Sequence, residues 1–400
     1  MTNPADPTSA FPSVALRTRP RGGHPFVFRK MVAPGREANS GDLVRVVDRE
    51  GTFVGIALYH ESSQIALRFL YRGPEKGFSP DFLARRLKDA VYLRRKVLRL
   101  DERTDAWRVV HAESDGLSGL IVDRFADVLV IELFSLAWYR RLPELREELG
   151  RLFPGTQIAV RADDWIAERE GFALDAAERS SGPERVWIQE DGLRFHVDLR
   201  HGHKTGFFVD QRDNRSRLAA YVRDANVLDL CTNSGGFAIH AKARGGAGRV
   251  TAVDLDEKAL ARAEENARAN DAAIEFVHAD VFDYLRAAAE QRTRWDVVIL
   301  DPSKLARSRE ELPRAERKYF DMNRLAMAVL KNNGLLLTCS CTGLLPAETF
   351  DAICTAAAEQ AERKLLRLAQ SGAAPDHPVD PDCPETSYLK AFLYAVRQRG

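Results

Sequence analysis

From Asn226 onward, short apolar runs alternate with longer stretches in which apolar positions recur every three or four residues. The runs Val227 to Leu230, Arg249 to Asp254, Ile274 to His278, Trp295 to Asp301 and Gly334 to Ser340 predict buried strands. Phe237 to Arg244, Glu257 to Asn270, Val281 to Glu290 and Arg314 to Lys331 predict the helices between them. Apolar strands joined by helices make a mainly parallel, doubly wound α/β sheet, because both faces are covered. Leu365 to Ala369 and Tyr388 to Val396 predict two closing strands.

The N-terminal part has a different period. Asp42 to Asp48, Phe53 to Tyr59 and Gln64 to Leu70 alternate apolar and polar residues between turns at Gly41 and Gly51. Short strands at this spacing predict a small β-barrel. Leu83 to Arg99 reads as an amphipathic helix with Leu83, Leu87, Ala90, Val91 and Leu98 inward and Arg85, Arg86, Lys88, Arg94, Arg95, Lys96 and Arg99 on a basic face. Val128 to Phe134 predicts a strand, and Asp191-Gly192 a hairpin turn between Val186–Ile188 and Leu193–Val197. Three domains are therefore expected: a barrel over 1–75, a central α+β domain over 76–185 and the doubly wound domain over 186–400.

Composition changes this picture little. The net charge of +1 declares no nucleic-acid partner, so any basic surface is local. Arg17 to Lys30 is one such place, where Arg17, Arg19, Arg21, Arg29 and Lys30 accompany Phe26 and Phe28; cations beside aromatics suit nucleic acid, and barrel packing explains the Phe residues equally well. Met1 to Ser13 is polar and no apolar run spans a bilayer, which points to a cytoplasmic protein without a membrane. Five cysteines without a CxxC pair predict neither disulfides nor a metal site.

The candidate chemistry sits at strand ends, where open α/β sheets bind ligands. Asp229-Leu230-Cys231-Thr232-Asn233-Ser234-Gly235-Gly236-Phe237 is a strand–loop–helix whose glycines admit a ligand to the backbone; it lacks GxGxxG and so fits a dinucleotide poorly. Asp254, Asp280 and Asp301 end the next strands, where carboxylates can take ribose hydroxyls and an adenine edge. They point to S-adenosylmethionine. Asp301-Pro302-Ser303-Lys304 and Ser340-Cys341-Thr342-Gly343 close neighbouring strands. An acid and a thiol side by side suit cytosine-5 methylation, in which a thiolate adds to C6 and makes C5 a nucleophile. Cys339 shares the strand face with Cys341, and core packing accounts for a lone strand cysteine. His201 to Arg215, just before the sheet, carries Lys204, Gln211 and Arg212 and suits either a cofactor's amino-acid end or an RNA phosphate.

These segments resemble the bacterial 23S rRNA cytosine-5 methyltransferases with an N-terminal PUA domain. The resemblance rests on Arg21 to Phe28, His111 to Arg124, His201 to Arg215, Thr232 to Phe237, Asp301 to Leu305, Ser340 to Leu344, Asp376-His377-Pro378 and Glu385 to Lys390. It implies a PUA-like barrel, a class I methyltransferase domain and 23S rRNA or its large-subunit precursor as partner, with a homodimer left open. It implies cofactor contacts from Gln211, Arg212, Asp254, Asp280 and Asp301 and from the Thr232, Asn233, Gly235 and Phe237 loop. Cys341 is the implied nucleophile, beside Asp301. Arg19, Arg21, His24 and Lys204 are the expected RNA contacts. Ser303 stands where the family has a second proline, Cys383 where it often has His, and no second cysteine accompanies Asp301, which leaves the C5 proton acceptor unassigned. The competing readings are methylation of an exocyclic amine, which needs no thiol, and a non-catalytic rRNA-binding assembly factor.

Overall fold

A computed structural model describes residues 8, 10–20, 22–35, 37–200 and 206–399. Arg21 and Lys204, two of the expected RNA contacts, lie outside the described residues. The chain divides into two compact units: Met1–Val186 with Asp198–Gly206 and Pro375–Thr386, and Trp187–Val197 with Phe207–Ala374 and Ser387–Gly400.

In the first unit, strands β1 (Ser13–Ala15), β2 (Phe26–Phe28), β3 (Leu43–Val47), β4 (Phe53–Tyr59) and β5 (Ile65–Tyr71) form a sheet in the order β1-β3-β4-β5-β2. An antiparallel bridge between Leu16 and Val32 joins its two outer edges. The alternation turns Val44, Val46, Ala57 and Leu67 inward, and all are fully buried. A second sheet follows in the order β6 (Ala106–His111), β7 (Leu120–Phe125), β8 (Val128–Leu133) and β9 (Gln157–Arg161). One apolar cluster takes Leu43, Ile56 and Leu58 from the first sheet together with Leu87, Trp107 and Trp138.

The helix Phe82–Tyr92 buries Leu83, Leu87, Ala90 and Val91, as its period predicts, and continues as a wider turn over Leu93–Val97. Arg94 is not on the basic face. It is fully buried, forks onto Asp115 with Nη1–Oδ1 2.6 Å and Nη2–Oδ2 2.8 Å, and donates to the carbonyls of Arg108 and Asp376. A guanidinium is always charged, so its burial requires this complete set of acceptors. Asp376, from the Asp-His-Pro segment, also accepts from Arg108 N at 2.9 Å, which makes that segment part of the first unit's polar core.

The second unit holds the hairpin β10 (Arg185–Glu190) and β11 (Leu193–Asp198), turning at Asp191 and Gly192 with φ of 52° and 84°. Its main sheet comprises β12 (Val227–Leu230), β13 (Val250–Asp254), β14 (Glu275–His278), β15 (Trp295–Leu300), β16 (Leu330–Ser340), β17 (Arg363–Ser371) and β18 (Lys390–Gln398). Their order is β14-β13-β12-β15-β16-β18-β17. All neighbours are parallel until β18, which runs antiparallel to both β16 and β17. The chain order reverses between β12 and β15, and a crevice at the carboxyl ends of these strands is where such sheets bind ligands. The strand and helix ends differ from the periodicity by a few residues. The omissions in this unit are the helix Arg212–Ala219 and the longer helix Ala347–Gln360, whose Ala352, Ala356, Ala357 and Ala358 blur the polar–apolar contrast. No helix among the described residues is long and apolar enough to cross a membrane.

Candidate active site

The chain leaves β12 through Cys231, Asn233 and Gly235, all left-handed at φ 61°, 50° and 83°. At Gly235 a Cβ would also lie 3.1 Å from Ile239 Cδ1 and 3.2 Å from Ala263 Cβ, so glycine meets both a backbone and a packing demand. Asp229 anchors the turn from within the strand. Its Oδ2 accepts from Thr232 Oγ1 at 2.6 Å and from Ala238 N at 3.1 Å, while Oδ1, also buried, has no hydrogen-bond partner among the described residues. Burial pushes this carboxyl up to about 7, with the Asp301 and Asp254 charges adding to the effect.

Asp254, at the end of β13, accepts from Asn233 N at 2.8 Å and from Asp256 N at 2.9 Å. Asp280 caps the helix Val281–Glu290, its Oδ1 accepting from Phe282 N at 2.8 Å. The Cys231 thiol is pushed well up by burial and then by Asp254, Asp301, Asp229 and Asp280, so four carboxyls converge around it. Asp301 follows β15 and accepts from Gln211 Nε2 at 3.0 Å; Gln211 Oε1 in turn accepts from Asn214 Nδ2 at 2.7 Å. Gln211 is thus buried beside Asp301, and Arg212, which follows it in the chain, is also buried. Thr232 spends its hydroxyl on Asp229, and Phe237 is packed in the core with Leu218 and Val222.

The two cysteines of the β16 end part company. Cys339 is fully buried with Ile299, Leu337 and Ala391, and burial, then Asp301, drives its thiol well above the usual range. β16 ends at Ser340, so Cys341 stands on the following turn, half-buried, its Sγ 3.8 Å from Pro302 O. A buried hydroxyl chain supports that turn: Ser340 Oγ donates to Tyr319 OH at 3.0 Å, and Tyr319 OH lies 2.9 Å from Thr342 Oγ1. Lys390 Nζ donates to Thr342 O at 2.6 Å. Ser303 is exposed, so no packing depends on the ring that a proline would bring.

Sequence reasoning passed over three groups in this unit. Tyr388 OH donates to Asp210 Oδ2 at 2.6 Å, which ties the C-terminal block to the segment carrying Gln211. Glu190, on the hairpin, takes both arms of Arg215 at 2.8 Å each. Lys390 is the third. Only their residue types were legible, since each partner lies far off in sequence. In the first unit, Arg19 is well exposed, 3.9 Å from Asp48, and Phe28 is 46% exposed. His24 is engaged with Glu385, Nε2 to Oε2 3.2 Å, beside Cys383. Its Nδ1 accepts from Phe26 N, which leaves the neutral ring's proton on Nε2, pointing to Glu385; this tautomer does not suit Nε2 ligation of a metal.

A family model described as S-adenosylmethionine-dependent methyltransferase matches residues 108–395, and a PUA-like domain model matches residues 17–72. Ribosomal RNA large subunit methyltransferase I of Photobacterium profundum is 37% identical over 384 residues, covering 94% of this chain and 96% of that protein. The protein of the same name from Alteromonas mediterranea is 36% identical over 382 residues, with 94% and 96% covered. Among solved structures, SMU.776 complexed with SAH superposes with a TM-score of 0.80 at 21% identity, over 96% of this chain and 99% of that one. The last of these shows the shared fold. With the family model spanning most of the sequence and these relatives covered almost end to end, the chain belongs to the S-adenosylmethionine-dependent methyltransferases, in the group of the ribosomal RNA large subunit methyltransferase I proteins.

Proposed function

We propose that this methyltransferase forms 5-methylcytidine in 23S rRNA, with Cys341 as nucleophile. The observation that carries the reading is the half-buried thiol on the turn after β16, beside the Asp301 loop, while its neighbour Cys339 is sealed in the core. S-adenosylmethionine supplies an electrophilic methyl group when bound. The acids of β12 and of the ends of β13 to β15 suit it: a cationic ligand would meet four carboxyls, among them Asp229, whose Oδ1 has no hydrogen-bond partner among the described residues, and its ribose hydroxyls would meet Asp254. Gln211 orients Asp301. Neither a phosphate-binding glycine pattern nor a cationic cluster that a dinucleotide would need occurs in the Asp229–Phe237 loop.

In this reading the Cys341 thiolate adds to cytosine C6, and the electron pair of the C5–C6 bond makes C5 nucleophilic. Asp301 holds the base edge while charge develops there. After methylation a base removes the C5 proton, the electrons re-form the C5–C6 double bond, and the C6–S bond breaks to return the thiolate. Bisulfite sequencing of 23S rRNA from cells with and without the protein tests the assignment: one cytidine loses protection when the protein is absent. Unchanged protection at every position would overturn it.

Cofactor binding should depend on pH through Asp229. Its ligand-free carboxyl sits at about 7, and a cationic ligand favours the ionised form, so binding below that pH releases a proton. Affinity should therefore rise as pH increases to about 7 and level off above it, by at most about tenfold per pH unit. Asp229→Asn keeps an acceptor for Thr232 and Ala238, so it should bind more weakly and lose this pH dependence. Calorimetry between pH 5.5 and 8 decides; an identical profile in wild type and variant counts against the role.

The barrel, in the same proposal, supplies RNA affinity. Because its core is continuous with Trp107 and Trp138, deleting it would unseal the rest of the unit, and charge reversal is the cleaner probe. Arg19→Glu with Arg29→Glu should weaken rRNA binding and lower the slope of log K against log salt by about 1 for each lost phosphate contact. Filter binding across a salt series showing the wild-type slope would remove these residues from the interface.

A further inference from the structure

Lys390 opens β18, and its backbone pairs with Ser340, the last residue of β16. A strand-end lysine ordinarily carries its ammonium out to water. This one is 5% exposed, and its Nζ donates to Thr342 O at 2.6 Å and Tyr388 O at 2.9 Å. No carboxylate pairs with it among the described residues. An ammonium has three protons, so two carbonyls leave one without an acceptor. Burying a cation this way costs stability unless an anion forms beside it. Thr342, which grips the nitrogen, directly follows Cys341 on the same short turn. The Ser340–Tyr319–Thr342 hydroxyl chain fixes that turn from the other side.

We infer that Lys390 is the positioning residue that holds Cys341 as a thiolate, by taking its proton and pairing with it as an ammonium. The role rests on reading Cys341 as the nucleophile. Starting from the neutral pair, the S–H bond breaks as an N–H bond forms on the lone pair of the Lys390 amine, giving ammonium and thiolate, and the freed electron pair on sulfur attacks C6. When the C6–S bond later breaks, its electrons return to sulfur and the pair is restored. Burial brings the Lys390 ammonium down to about 8, with Cys341 opposing that shift and Lys304 adding to it, so the nitrogen can both accept and carry a proton near neutrality. Among the described residues, Lys304 from the loop after β15 also bears on Lys390, and Tyr319 from the helix Leu312–Ala328 and Cys339 on β16 bear on Cys341; Asp301 and Asp210 reach Cys339 behind them. Tyr319 is pushed up to about 12, chiefly by burial, and Cys339 well above its usual range, so neither ionises in competition.

The test is the rate at which iodoacetamide alkylates Cys341 in the full-length protein, followed by peptide mass spectrometry from pH 5.5 to 9.5. It needs neither RNA nor cofactor. At pH 7 the wild-type thiol should react at least tenfold faster than the thiol of a free Ser340–Leu345 peptide. Lys390→Met and Lys390→Gln should each slow alkylation at pH 7 about tenfold or more and move its midpoint up by at least one pH unit. Their S-adenosylmethionine affinity should stay within about twofold, which a merely structural role would not predict. If wild type reacts no faster than the peptide, or a variant with native cofactor affinity keeps the wild-type profile, the proposal is overturned even where one variant fails to fold. A Cys341→Ser protein that still methylates rRNA would instead overturn the nucleophile reading, and the catalytic meaning of the pair with it.

Discussion

Cys341→Ser protein is expected to lose rRNA methylation entirely while binding S-adenosylmethionine with wild-type affinity. A serine hydroxyl at the same place ionises far less readily than a thiol near pH 7, and only the anion adds to C6. The cofactor contacts assigned to Asp229, Asp254 and Gln211 come from β12, the end of β13 and the segment before the sheet, and do not pass through the Cys341 side chain. Cys339→Ser should behave in the opposite way. That thiol is fully buried in the cluster that holds Ile299, Leu337 and Ala391, with Gln211 as its polar neighbour, so the variant should keep methylation and lose about 1–3 kcal/mol of stability from the buried hydroxyl. RNA carrying 5-fluorocytidine traps the attack, because fluorine cannot leave as the C5 proton does. Wild type should give a denaturation-resistant adduct whose cross-linked peptide contains Cys341. An adduct on Cys339 would reassign the nucleophile, and full methylation by Cys341→Ser would favour transfer to an exocyclic amine.

Arg215→Met should destabilise the second unit by about 3–5 kcal/mol. Glu190 and Arg215 are almost completely buried, and the guanidinium grips both carboxylate oxygens at 2.8 Å while Nη1 donates to Phe208 O at 3.0 Å. Removing the arginine leaves a buried carboxylate whose nearest remaining cation candidate is His240, 3.5 Å away. In the intact protein burial brings that ring down to about 4, with the Arg215 charge adding to the effect, so His240 contributes no cation beside the native pair. A Cβ on Gly236 would lie 3.1 Å from Arg215 Cδ, so the side chain also underlies the start of the cofactor-loop helix, and S-adenosylmethionine affinity should fall with stability. The double variant Glu190→Gln with Arg215→Met removes the stranded charge and should recover much of the loss. Urea unfolding of the three proteins checks this; a single variant within about 1 kcal/mol of wild type would show that the pair contributes little.

Parallel strands buried on both faces announce themselves as apolar runs, and their carboxyl ends carry the polar groups, so Asp254, Asp301 and Cys341 lie within a residue of the ends read from the pattern. Val281–Glu290 follows from a capping Asp280 and a clear helical period. Ala347–Gln360 was illegible because alanine serves both faces of a helix. Arg94 was misread as surface for a related reason: a charge seen in sequence predicts water, and only a folded neighbour such as Asp115 reverses that.

By itself, then, the sequence determined the alternation that builds a doubly wound sheet and the residue types gathered at its switch point, since both follow from local periodicity and chain order. Periodicity alone did not separate the two cysteines, since a period of two puts Cys339 and Cys341 on one face; position toward the strand's carboxyl end favoured Cys341. The tertiary structure adds their different surroundings: pairing of β16 with β18 stops at Ser340 and Lys390, which leaves Cys339 sealed within the sheet and Cys341 half-buried beyond it. The same pairing decided that a lysine some fifty residues downstream lies buried against the Thr342 carbonyl, 2.6 Å away. Ion pairs, buried cations and thiol environments are set by through-space distance and desolvation, and these exist only once the chain has folded.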